Sequence, residues 1–90
     1  MNKHRRSLIE EFVKTINSAT DILDGLKEKI EEVQEEESEA FENLTDGLKA
    51  TERGQMMEAA ADALTSAAES VGEVLSSLET ALNDLETASS

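Results

Sequence analysis

The 90-residue chain has no cysteine, proline, tryptophan or tyrosine, and Phe12 and Phe41 are its only aromatic residues. Without cysteine there is no disulfide and no thiolate metal site, which accords with a reducing cytoplasm. Without proline, nothing forces a helix to stop. Histidine occurs once, as His4, so the paired Glu-x-x-His ligands of di-metal bundles are missing. The acidic run EEVQEEESEAFE starting at Glu31 therefore reads as a solvated helix face, and no metal or cofactor is implied. No apolar run approaches the roughly 20 residues needed to span a bilayer. The start, MNKHRRSLIEEF, is basic but no apolar leader segment follows it, so a soluble, unprocessed protein is expected. No nucleophile–base pair, phosphate loop or metal-ligand spacing occurs, and enzymatic activity is not expected.

Positive charge is also scarce. Eight Lys and Arg face twenty-one Asp and Glu, for a net charge of −13, and no basic residue follows Arg53. Such a polyanion repels phosphate backbones and anionic headgroups, which argues against direct binding of nucleic acid or a membrane surface and for a basic partner. His4, Arg5 and Arg6 read as charges on a tail.

What the chain does contain is two 3,4 hydrophobic repeats. The first runs Ile9, Phe12, Ile16, Ala19, Leu23, Leu26, Ile30, Val33, Glu37, Ala40, Leu44, with Glu37 its one polar member. The second runs Met57, Ala60, Leu64, Ala67, Val71, Val74, Leu78, Ala81, Leu85, Ala88. Alternation of three and four residues keeps one helix face against a partner helix along its whole length, the pattern of coiled-coil packing. With Ile9 at heptad position a, positions b, c and f of the first repeat carry no apolar residue. In the second repeat the d column is small (Ala60, Ala67, Val74, Ala81, Ala88), and another apolar column follows one residue later (Ala61, Ala68, Leu75, Leu82). A stripe that wide can touch more than one neighbour.

Ser7 and Glu10 have capping-box spacing, which predicts a flexible tail over 1–6 and a helix over 7–45. Gly47 is the expected C-terminal cap. Thr51 is the expected N-cap of a second helix over 52–88, leaving a loop over 46–51. So short a connection makes the helices antiparallel neighbours. The expected fold is thus all-α: an antiparallel helical hairpin of coiled-coil type, a single domain over 7–90, assembling into a helical bundle. A register centred near Leu48 sets large against small, as in Ile16 against Ala81 and Ile30 against Ala67. Leu8, Val13, Ile22, Phe41, Leu75 and Leu82 are left over as a seam where a second hairpin would dock, giving a homodimer or higher oligomer. Glu37 reads as a register-setting polar layer reached by Lys49 or Arg53, or as a point where the helices splay. Met56 and Met57 read as core filling.

The segment from Glu35 to Asp62, EEESEAFENLTDGLKATERGQMMEAAAD, carries a Glu-rich stretch, then Ala40, Phe41, Asn43 and Leu44, a short loop, Thr51-Glu52-Arg53-Gly54 and an Ala-rich helix. It resembles the hairpin tip of an uncharacterised group of small acidic helical proteins encoded by phages and prophages of bacteria. Thr45 stands where that group commonly has proline. The resemblance covers about a third of the chain, and it implies a viral accessory protein in the cytoplasm of a bacterial host without assigning a molecular activity.

Three functions are compatible with these features. One is an acidic interaction protein that occupies a basic surface of a host or defence protein, with Glu28, Glu31, Glu35, Glu39 and Glu42 as the partner-binding face. Another is a structural oligomer. The third is a sponge for a small anionic ligand at the tip, where Phe41, Asn43, Arg53 and Gln55 are the candidates.

Overall fold

A computed structural model describes residues 1–90 and is all-helical. α1 spans Lys3–Glu42, α2 spans Asp46–Lys49 and α3 spans Glu52–Ser89. At 1.5 Å per residue the two long helices are about 60 Å and 57 Å long, and the molecule measures 68 × 15 × 14 Å. Only two helices lying side by side fit that envelope. Their neighbours run in opposite order: Thr20 and Asp24 border one indentation with Leu75 and Leu82, Lys27 lies against Gly72, and Ala40 and Leu44 border another with Gly54 and Met57.

Each helix starts at a side-chain cap. The Oδ1 of Asn2 accepts from the backbone N of Arg5 at 2.8 Å, so Lys3 to Arg6 form the first turn of α1, where a tail with Ser7 as cap was expected. Asn caps as well as Ser does, and no glycine or proline interrupts the residues after it. α1 ends at Glu42, with Asn43 as its C-cap in the right-handed region. No residue has positive φ, glycines included. Gly47 is therefore not a left-handed cap but lies inside α2, whose N-cap is Thr45. Thr51 caps α3 as expected, accepting from the N of Gly54 at 3.2 Å.

The burial pattern shows which columns meet. The largely continuous shielded series along α1 is Ile9, Val13, Ile16, Thr20, Leu23, Lys27, Ile30, Gln34, Glu37 and Phe41, continued by Leu44 just past its end. In α3 it is Gly54, Met57, Ala61, Leu64, Ala68, Val71, Leu75, Leu78, Leu82 and Leu85. Both series are the a column plus the column one residue after d. The expected seam, a plus d, is thus rotated: Val13, Phe41, Leu75 and Leu82 lie between α1 and α3 and are not left over for another chain. Apolar bulk in α3 explains the rotation, because the packed column holds Leu75 and Leu82 where the d column has only Val74 and Ala81, while Gly54, Ala61 and Ala68 let the helix backbones approach and Ala61 and Ala68 are among the few buried side chains. The aliphatic stem of Lys27 covers apolar surface here while its ammonium reaches water.

The displaced d columns remain open. Phe12, Leu26, Val33 and Ala40 of α1 are exposed, as are Ala60, Ala67, Val74 and Ala88 of α3, whereas Ala19 and Ala81 are half-buried. In an antiparallel pair, equal heptad positions fall on the same side of the plane containing both axes. The two d columns therefore form one apolar side, edged by the exposed Leu8, Ile22 and Met56. The opposite side carries the b columns, including Glu10, Asp24 and Glu31 of α1 and Glu58, Glu79 and Glu86 of α3.

Candidate functional site

Two regions gather chemically distinctive groups: the acidic stretch of α1 and the tip where α2 joins the long helices.

Glu28, Glu31, Glu35, Glu39 and Glu42 are all exposed, and their spacing of three or four residues puts them along one stripe of α1. Glu28, Glu31, Glu32 and Glu35 line a shallow surface depression. Two of the five are paired. Glu31 Oε1 lies 2.7 Å from the Nζ of Lys27, and Glu42 Oε2 lies 3.3 Å from the Nζ of Lys49. The hydrogen bond and charge of Glu31, with a smaller contribution from Asp24, hold the Lys27 ammonium above its ordinary pKa against a small opposing effect of burial. Glu28, Glu35 and Glu39 have no cationic partner. No three His, Asp or Glu side chains form a group able to hold a metal ion, and no helix is long and apolar enough to cross a membrane.

At the tip, Thr51 joins two helices. Its hydroxyl donates to the Leu48 carbonyl at the end of α2 and accepts from the N of Gly54 in the first turn of α3. Gly54 is buried because α2 lies directly on it: a Cβ there would stand 2.5 Å from the Leu48 oxygen and 2.6 Å from the Lys49 oxygen. The glycine is required by this close approach rather than by its φ. Lys49 fastens α2 to α1 from the other side, with its Nζ 5.4 Å from the centroid of Phe41 and bonded to Glu42.

Of the tip candidates, Phe41 is half-buried beneath Lys49, Asn43 is exposed at the end of α1, and the Gln55 side chain donates to the Ala50 carbonyl at 3.5 Å. Arg53 is exposed, makes no ion pair, and borders an indentation of about 400 Å³ with Ala40, Leu44, Leu48, Thr51, Gly54 and Met57. Glu37 is half-buried with no ion-pair partner, since Lys49 engages Glu42 instead. Of the adjacent Met56 and Met57, Met57 is half-buried and Met56 is 65% exposed, so only Met57 fills the core. The buried hydroxyl of Thr20, which has no hydrogen-bond partner, went unnoticed in the sequence. Its place between Ile16 and Leu23 of the a column was the available signal.

No protein-family profile, curated protein or solved structure matches the chain.

Proposed function

We propose that this chain is a non-enzymatic acidic interaction protein of phage or prophage origin, built as an antiparallel helical hairpin of coiled-coil type, which occupies a basic surface of a bacterial host or defence protein. The observation that carries this reading is the exposed stripe of glutamates on α1, of which Glu28, Glu35 and Glu39 are unpaired. Carboxylates one helical turn apart, about 5–6 Å between Cβ atoms, present charge at a spacing of the same order as phosphates along a nucleic-acid strand. A protein surface shaped for a phosphate backbone would accept such a stripe, and attraction between the two would steer the encounter.

The test replaces Glu28, Glu31, Glu35, Glu39 and Glu42 together with Gln, which preserves helix propensity and removes five charges. Circular dichroism should stay unchanged while partner capture from bacterial lysate is lost. Capture by the unaltered protein should weaken as salt is raised. The exposed, unpaired Arg53 beside the tip indentation supports a second reading, a site for a small anionic ligand. Capture that survives the Gln set and disappears in an Arg53→Ala, Gln55→Ala variant would move the function to the tip.

A further inference from the structure

The apolar side formed by the two d columns has no counterpart within the chain. Phe12 is 49% exposed, Leu26 44%, Val33 49% and Val74 48%. Only Ile9, Ala61 and Ala68 count as buried hydrophobic residues, and no side chain is fully enclosed. The chain exposes 6585 Å², whereas a compact monomer of 9.8 kDa exposes about 5,200 Å². The excess is roughly 1,400 Å² per chain, more than the roughly 800 Å² that a standard protein interface removes from each partner.

We infer that this side is the docking surface for a second copy of the same chain, with α1 of each copy lying over α3 of the other and both tips at the same end. Side-chain sizes select that arrangement. At the heights set by the pairing within each chain, with Lys27 beside Gly72 and Leu44 beside Gly54, Phe12 of α1 then falls between Ala81 and Ala88 of α3, Leu26 between Ala67 and Val74, Val33 between Ala60 and Ala67, and the small Ala19 between Val74 and Ala81. Laying α1 on α1 instead, with tips opposed, brings large residues onto large ones and leaves the alanine column of α3 facing another alanine column. Large-into-small layers are what a close-packed interface requires. The two-fold arrangement makes the surface self-complementary, places every helix beside antiparallel neighbours, and completes a four-helix core from the a, d and e columns.

Charge favours the same occupant. Joining the apolar sides turns the acidic b columns of the two copies outward and away from each other, whereas an anionic lipid surface would repel a chain of charge −13. The inference is independent of the acidic-surface reading, because the five-Gln set lies off this side and should leave the mass unchanged.

Light scattering at tens of micromolar should give twice the mass of one chain. Leu26→Glu with Val33→Glu should give the mass of a single chain with helicity retained, since neither side chain lies between α1 and α3. A wild-type mass of one chain, or a double variant that stays dimeric, overturns the inference. If the double variant unfolds, a spin label decides: the chain has no native cysteine, so Ala50→Cys labels the tip alone. With helix axes 8–10 Å apart, labels on adjacent tips should lie within about 30 Å of each other. A separation near the 68 Å length of the molecule, or no coupling between labels, refutes the arrangement.

Discussion

Replacing Gly54 with alanine should destabilise the protein, although the same change at Gly25 should stabilise it. In a helix interior alanine is favoured over glycine by about 0.5–1 kcal/mol. At Gly25 nothing lies within 4 Å of an added Cβ, so that gain should appear in full. At Gly54 the methyl would come 2.5 Å from the Leu48 oxygen, 2.6 Å from the Lys49 oxygen and 2.9 Å from the Lys49 carbonyl carbon, against an ordinary contact of 3.4 Å. These are backbone atoms, so relief requires α2 to move outward by nearly the missing ångström. That movement pulls Leu48 away from the Thr51 hydroxyl and loosens the cap on Gly54. Overpacking of this kind costs roughly 1–3 kcal/mol and a lost N-cap about 1 kcal/mol. After the helix-propensity gain, a net loss of about 2 kcal/mol remains. In a domain of this size that loss lowers Tm by roughly 8–15 °C. Thermal melts followed by circular dichroism at one fixed protein concentration would measure it, with Gly25→Ala rising by a few degrees. A Gly54→Ala melt equal to or above the unaltered protein would show that α2 does not rest on α3 as described.

Thr20→Val should raise the melting temperature, since it removes a buried hydroxyl with no partner and keeps the side-chain shape, a gain of about 1 kcal/mol; a lower Tm would show that the hydroxyl is bonded. For Lys27, the folded pKa is raised, so its contribution to stability is complete at neutral pH and is lost as pH rises from the ordinary lysine range through the folded value. An NMR titration of the lysine ε-methylenes should show Lys27 titrating last, and Glu31→Gln should return it to the others.

The a columns, the Thr51 cap and the side-by-side packing of two long helices were legible because each rests on local periodicity or on one capping residue. The side of each a column that meets the partner was not. In α1 the d column (Phe12, Leu26, Val33) is more apolar than the column that in fact packs (Val13, Thr20, Lys27, Gln34, Phe41), so hydrophobicity alone points to the wrong flank. The deciding feature lies in α3, where Leu75 and Leu82 of the packed column outweigh Val74 and Ala81 of the d column, a preference of two residues that the periodicity of the whole repeat hides. α2 was missed for a similar reason: four residues have no periodicity, and its only mark was Thr45 placed to accept from the N of Leu48 at 3.3 Å. The acidic stripe was fully readable, because it depends only on spacing along one helix. Its pairing was not, since Lys49 reaches Glu42 from a separate helix.

The rod shape affects how the molecule behaves in solution. Its radius of gyration is 20.1 Å, against about 12 Å for a compact domain of the same length, and matches a globule of more than about 300 residues. On a column calibrated with compact standards, even a single chain would elute well ahead of its mass. Because a second copy docked side by side thickens the rod without lengthening it, small-angle scattering would return nearly the same radius for one chain or two, and the forward intensity would carry the number of chains.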